Sequence, residues 1–136
     1  MGHVEQNAHW TSRGTGFYGD HLLFQRLYES AQENADLAAE KFLGVFGKPA
    51  LDYDLQNEMI SGVIAKYSHL KDNPVKQSLT LERDFIKFAE KAFKAIEEAD
   101  LMTLGIDDAM ALISDKREES IYLLQQTLDV SPDEEK

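Results

Sequence analysis

The apolar residues of this chain recur at helical spacing in several separate stretches. The longest runs from Phe17 to Phe46, where apolar residues three or four positions apart form a stripe next to a second, polar stripe. Gly44, Gly47 and Pro49 lie at its end, as is common where a helix stops. The pattern predicts a helix of about 30 residues and about 45 Å, which is typical of a helix bundle.

Residues 1–13 show a shorter version of the same pattern. They predict a first helix with Val4, Ala8 and Thr11 facing inward, which ends at the glycine-containing turn of residues 13–16. Glu5 lies four residues before His9. It therefore either approaches a metal held by His9 or forms an exposed helical pair with it, and we expect the exposed pair.

Residues 50–77 connect the long helix to the second half of the chain. Asp54 is the expected N-cap of a short helix in this connection, which reaches Tyr67. A polar loop is expected from Ser68 to Ser78, and His69 within it is expected to be a surface residue.

Two further helices are predicted after this loop. The first begins at a cap formed by Ser78 or Thr80 and runs to about residue 100; the second begins at residue 106 or 107 and runs to residue 128. The charged run of residues 115–119 in the last helix, which includes Arg117, is expected in solvent. These periodicities predict an all-α protein. The expected inward-facing residues are Leu81, Phe85, Phe88, Ala89, Ala92, Phe93 and Ile96 in the first of these helices, and Met110, Ile113, Ile121, Leu124 and Leu128 in the second.

Length and composition indicate one folded unit. Hydrophobic residues make up 43% of 136 residues, which suffices for one core, so we expect a single domain over residues 1–136 with residues 131–136 as a frayed tail. The absence of cysteine excludes disulfides and thiolate metal sites. The chain contains neither a membrane-length apolar run nor a recognisable signal peptide, and a cytoplasmic location is expected.

The charge of the chain is strongly acidic. A formal net charge of −11 opposes direct DNA binding, which requires Lys and Arg to neutralise phosphates, and neither end of the chain has a basic arm. The same charge favours attraction of cations, although solubility alone also explains it.

The polar stripe of the long helix contains residue types that bind metals. His21, Gln25, Asp36 and Glu40 lie on this stripe, and His9 precedes it. A rise of 1.5 Å per residue separates His21 from Asp36 by about 22 Å, so one unbroken helix cannot bring them to the same ion. A second copy that packs antiparallel and crosses near residue 30 would place the two halves face to face, twice. Mixed imidazole and carboxylate ligands suit iron, manganese or zinc.

The same residues resemble a known motif. The pattern of His9-Trp10, His21, Asp36 and Glu40 resembles the ferroxidase motif of the Dps family, the mini-ferritins, in its spacings of twelve, fifteen and four residues. The resemblance is specific over residues 8–43 and architectural over residues 78–128. Further residues that match the family are the linker Gly14-Thr-Gly-Phe17, Phe24 and Tyr28.

The resemblance implies a ferritin-like four-helix bundle with a short extra helix in the middle connection. It also implies a two-fold dimer, in a family whose shell is a dodecamer, and an iron site shared between subunits. His9 and His21 of one chain would bind iron, or another divalent metal, together with Asp36 and Glu40 of its mate. Trp10 would lie beside the site as a potential electron donor, and the short helix of residues 50–77 would pack at the two-fold interface.

Two features depart from the family pattern. Gln25 stands where the family has an aspartate, and a neutral amide is a weaker ligand for a hard cation. Gln25 is therefore expected to orient a water or to hydrogen-bond to the site. Only eight residues precede His9, so the first helix is expected to be a shortened one. The leading hypothesis is a Dps-like ferroxidase for iron storage and protection from oxidative stress. The alternative is a non-enzymatic ferritin-like scaffold or interaction protein with a relict metal site.

Overall fold

A computed structural model describes residues 1–128, the side chain of Ala50 excepted. Two short 3-10 turns, Lys48–Ala50 and Ser68–Leu70, join the longer elements, and the described residues contain no strand. The prediction of an all-α protein is confirmed. The expected tail of residues 131–136 lies outside the described residues. The five α-helices are α1 (Gly2–Thr11), α2 (Phe17–Phe46), α3 (Tyr53–Tyr67), α4 (Pro74–Glu98) and α5 (Leu104–Leu128).

Four of these helices surround a common core. Helix α1 packs along α2, and α4 packs along α5; α2 also contacts α5, and α1 contacts α4. Each of the four helices therefore has two neighbours, and burial of their facing apolar side chains stabilises the arrangement. The buried residues at its centre are Ala8, Phe24, Leu27, Leu79 and Leu124.

Helix α2 has the boundaries that the sequence predicts. It begins at Phe17 and ends at Phe46. Gly47 follows with a φ of 77°, a conformation that glycine adopts without the steric cost of a Cβ, and its N–H donates to the carbonyl of Leu43 at 2.9 Å. The helix is continuous over 30 residues.

The starts of α3 and α4 differ from prediction. Asp52, and not Asp54, caps α3 by accepting a hydrogen bond from the backbone N–H of Leu55 at 3.0 Å. The expected polar loop between residues 68 and 78 is wrong in its second half, because α4 already begins at Pro74. Asn73 caps this helix, and proline at the first helical position needs no hydrogen-bond acceptor for its nitrogen. Ser78, an expected cap, is buried inside α4.

Helix α3 is attached to the rest of the chain mainly at its C-terminal end. The buried Tyr67 donates its hydroxyl to Asp84 of α4 at 2.5 Å, and Lys66 donates to the same carboxylate at 3.1 Å. The hydrogen bonds from Tyr67 and Lys66 lower the pKa of Asp84. Gln77 also donates to the backbone carbonyl of Tyr67 at 2.8 Å. Beyond this anchor, α3 exposes several large apolar side chains, as described below.

Two predictions about the core are wrong. Arg117 is fully buried instead of solvated, and Phe88, expected to face inward, is 56% exposed. Helix α5 also starts two residues before the earliest predicted position, because the hydroxyl of Thr103 accepts a hydrogen bond from the N–H of Ile106 at 3.1 Å. No helix within residues 1–128 combines the length and the apolar character needed to cross a membrane.

Candidate functional site

His9 and His21, which we call the histidine pair, lie in direct contact. Helix α1 presents His9 in its last turn, α2 presents His21 in its first, and the linker of residues 12–16 reverses the chain between them. The two imidazole rings are stacked, with centroids 3.7 Å apart and an interplanar angle of 23°. The structure thus brings together two predicted ligands that are twelve residues apart in the sequence.

The hydrogen bonds of the histidine pair are reciprocal. Nδ1 of His9 lies 2.7 Å from the carbonyl oxygen of His21, and Nδ1 of His21 lies 2.9 Å from the carbonyl oxygen of His9. Because a carbonyl oxygen can only accept, each Nδ1 must carry a proton and donate it. In the neutral form of both rings, the lone pair of each Nε2 is then free. This is the arrangement of metal-binding histidines, whose second ring nitrogen is held by a carbonyl or carboxylate.

Aromatic neighbours restrict the orientation of both rings. Tyr28 of α2 contacts His9 edge-on at a centroid distance of 5.4 Å, and Phe17 contacts His21 at 5.1 Å. Both histidines are half-buried. Each imidazole is therefore fixed by a hydrogen bond, a stacked ring and an aromatic contact, so little conformational entropy remains to be lost when a ligand binds.

Two other predicted site residues, Trp10 and Gln25, lie near the histidine pair in the sequence, but their side chains are exposed to solvent or bonded to a neighbour on the same helix. Trp10 follows His9 and is 69% exposed. The side-chain amide of Gln25, one helical turn after His21, donates to the carboxylate of Glu29 at 2.9 Å. Gln25 is thus held by a neighbour on its own helix in the isolated chain.

The two predicted carboxylate ligands do not join the histidine pair within one chain. Asp36 and Glu40 are exposed on the far half of α2. Because α2 is unbroken, His21 and Asp36 of one chain are about 22 Å apart, as the helical rise predicts. Throughout residues 1–128, no three His, Asp or Glu side chains come close enough to hold a metal ion together. A complete mixed site therefore requires ligands from another molecule.

A second group of polar residues, buried between the helices, was not predicted. Glu5, Ser30, Glu82 and Arg117, which we call the buried polar cluster, come one from each of α1, α2, α4 and α5. Arg117 donates from Nη1 to Glu82 at 2.9 Å and from Nη2 to the hydroxyl of Ser30 at 2.5 Å. The side chains of Glu5, Glu82 and Arg117 have zero exposure. The expectation that Glu5 forms an exposed pair with His9 is therefore wrong.

The sequence does contain a signal for this cluster. Glu82 lies three residues after Leu79 and seven before Ala89, and Arg117 lies four after Ile113 and seven before Leu124. Both charged residues thus fall on the apolar stripe of their helix. A charge at such a position indicates either an error in the helical phase or a buried partner, and here it has a partner.

The cluster holds two carboxyls and one guanidinium. Burial, together with the neighbouring Glu5, raises the pKa of Glu82 to about 8, against the opposing effect of Arg117. Burial likewise raises the pKa of Glu5. Arg117 supplies a fixed positive charge, and the α-amino group of Met1 adds a second only while it is protonated; burial lowers the pKa of that amine. With the amine neutral, the charges balance when the two carboxyls hold one proton. Within residues 1–128, neither oxygen of Glu5 accepts a hydrogen bond from a donor, and Oε2 of Glu82 also has no donor. A proton on either carboxyl would allow a hydrogen bond between Glu5 and Glu82, which lie within reach of each other.

Comparisons with protein family models, with curated proteins and with solved structures find no match to this chain. The function is therefore inferred from the histidine pair and its surroundings.

Proposed function

We propose that the protein is a Dps-like mini-ferritin that binds Fe(II) and oxidises it at a site shared between two subunits of a ferritin-like bundle. The observation that supports this most strongly is the reciprocal tethering of the histidine pair. Each of the two stacked imidazoles donates its Nδ1 proton to the other residue's backbone carbonyl, which leaves both Nε2 lone pairs available to metal ions.

The carboxylates of the proposed site come from a second copy of α2. Asp36 and Glu40 are one turn apart on the same helix, and both are free to face a partner. An antiparallel copy of α2 that crosses near Ser30 brings them opposite the histidine pair, and the symmetry produces two equal sites. The acidic pair would supply the negative charge that the imidazoles lack and that Fe(III) requires.

Exposed apolar side chains of α3 support the dimer. Leu55, Met59 and Ile64 are 53%, 52% and 46% exposed, which is a large apolar surface for one short helix. Met59 and Ile64 line an open cavity of about 630 Å³ with mostly apolar walls, which lies between α3 and the helices α1, α2 and α4. A subunit interface that covers this cavity would bury these side chains, and it would adjoin the polar stripe of α2.

Other residues have subordinate roles in this proposal. Gln25 would leave Glu29 to orient a water or to hydrogen-bond to the bound ion. The exposed Trp10, next to His9, would supply electrons that limit the release of radicals. Fe(II) is the substrate: it gives an electron to dioxygen, and the ferric product requires a closed shell, in this family a dodecamer, for mineral storage.

The direct test is aerobic oxidation of Fe(II) by the purified protein, measured as the rise of ferric absorbance. We expect oxidation faster than in protein-free buffer, and we expect His21→Ala to abolish the acceleration. His69→Ala is the matched control, because His69 is an exposed histidine whose Nδ1 lies 3.0 Å from the backbone carbonyl of Lys66. Equal rates for the wild-type protein and His21→Ala would contradict the proposal.

Gln25 favours a second candidate. Its amide is satisfied by Glu29, and its position in the motif lacks the anionic oxygen expected there. If the protein assembles as a dimer but neither binds nor oxidises Fe(II), the scaffold with a relict site is the better description. Metal content of the protein as purified separates the two functions at the first step.

A further inference from the structure

Helix α1 has little apolar surface with which to hold His9 in place. It is ten residues long, and only Glu5 and Ala8 of its side chains are buried. A helix of this length is marginal on its own and depends on tertiary contacts. One of its two buried residues is a carboxylic acid with zero exposure. The attachment of α1 therefore depends on how that acid is accommodated.

We propose that Glu5 is a positioning residue that, by sharing a proton with Glu82, docks α1 into the core and so holds His9 against His21. The functional importance of this positioning role rests on the proposed function, because the position of His9 matters most if the histidine pair binds metal. The docking itself is a property of the metal-free chain.

The groups around Glu5 determine how docking responds to pH. Glu82 of α4 and Arg117 of α5 face it, and Ser30 of α2 adds a hydroxyl without charge. The α-amino group of Met1, whose pKa burial lowers, is the remaining titratable neighbour. Docked Glu5 and Glu82 together retain a proton that Glu5 gives up when α1 leaves the core and the carboxyl enters water.

Because undocking of α1 releases a proton, the docking equilibrium changes with pH by a defined amount. Because the docked state binds one more proton than the undocked state, docking weakens about tenfold per pH unit between the ordinary glutamate pKa and the raised one. Above the raised pKa, docking no longer changes with pH through this proton. In Glu5→Gln the amide can donate to Glu82 without titrating, so docking no longer depends on this proton. We therefore expect His9 to remain opposite His21 in the variant.

Hydrogen exchange of α1 amides in the metal-free protein tests the proposal. We expect the ratio of wild-type to Glu5→Gln protection factors for residues 2–11 to fall by about tenfold from pH 6 to pH 7, and by less from pH 7 to pH 8 as the raised pKa is approached. Glu33→Gln, a substitution of an exposed residue of α2, is the matched control and should give a constant ratio. A constant ratio for Glu5→Gln as well would overturn the proposal.

A Co²⁺ titration of the same proteins separates this proposal from the proposed function. If Glu5 controls docking but no protein binds Co²⁺, the positioning role stands and the metal site fails. If the wild-type protein and Glu5→Gln both bind Co²⁺ while docking is insensitive to Glu5, the metal site stands and the positioning role fails. When both hold, the Co²⁺ affinity of the wild-type protein should fall with rising pH relative to that of Glu5→Gln.

Discussion

Replacing Arg117 by methionine should destabilise the protein by an amount that depends on pH. Arg117 is the only cation of the buried polar cluster among the side chains described, and it donates to Glu82 at 2.9 Å and to Ser30 at 2.5 Å. Methionine preserves much of the volume and removes the charge. Glu5 and Glu82 must then both be protonated to remain buried, whereas one proton suffices in the wild-type protein.

The cost of the additional proton can be worked out. A carboxyl with the ordinary glutamate pKa of 4.5 must be protonated at pH 7, which lies 2.5 pH units above that pKa. At about 1.4 kcal/mol per pH unit, this costs about 3.5 kcal/mol of unfolding free energy. The value agrees with the roughly 3–5 kcal/mol lost when one partner of a buried ion pair is removed. At pH 5 the same contribution falls to about 0.7 kcal/mol, so the penalty should shrink markedly.

Urea unfolding followed by far-ultraviolet circular dichroism at pH 5 and pH 7 measures this difference, and urea leaves charges unscreened. Adding Glu82→Gln to Arg117→Met removes one carboxyl, so a single proton again suffices. The double variant should therefore recover most of the pH-dependent loss. The reasoning is refuted if Arg117→Met loses the same free energy at both pH values, since Arg117 would then act only through its packing.

Four further predictions follow from the site and the fold. His21→Ala should remove Co²⁺ binding in a calorimetric titration. It should change the free energy of unfolding by less than about 2 kcal/mol, because the core is formed by the other face of α2. A variant that unfolds would show that the histidine is structural. Gln25→Asp should raise Fe(II) affinity by about tenfold or more and raise the oxidation rate, because it restores an anionic oxygen beside a divalent cation, and undetectable binding in this variant would favour the scaffold. Tyr67→Phe should lower the free energy of unfolding by about 1.5–3 kcal/mol, because it leaves the charged Asp84 without a hydroxyl donor; a loss below 0.5 kcal/mol in urea unfolding would show that α3 is held by other contacts. Because the pKa of Glu82 is raised to about 8, the folded state retains a proton that the unfolded state releases above pH 4.5. The stability of the wild-type protein relative to Glu82→Gln should therefore fall as pH rises from about 5 to 8, and it should level off above pH 8. Parallel curves of stability against pH for the two proteins would contradict a shared proton.

The helices themselves were largely predictable, because apolar periodicity and turn residues act locally. Helix α2 is correct at both ends, since glycines bound it on each side. The predicted start of α4 was wrong because the cap was placed at Ser78 or Thr80, whereas Asn73 caps the helix and is followed by a proline that favours a helical first turn. The local signals for this start are therefore present in the sequence.

The two clusters of polar residues differ in how far a sequence can predict them. The histidine pair was predicted as ligands from spacing, but its stacking and its reciprocal hydrogen bonds depend on the path of the linker between α1 and α2. The buried polar cluster was missed because it joins Glu5 to residues 77 and 112 positions further along the chain. Residues so distant are brought together only by the packing of four helices, and periodicity within one helix shows at most that a charge faces inward.

The shared site is tested most directly by anomalous diffraction at the cobalt edge from crystals grown with Co²⁺. The account predicts an anomalous peak within about 2.0–2.2 Å of an Nε2 of the histidine pair, with Asp36 or Glu40 of a two-fold-related copy on its other side. Occupancy should be higher in Gln25→Asp. A peak bound by residues of one chain alone, or none at the histidine pair, would contradict it.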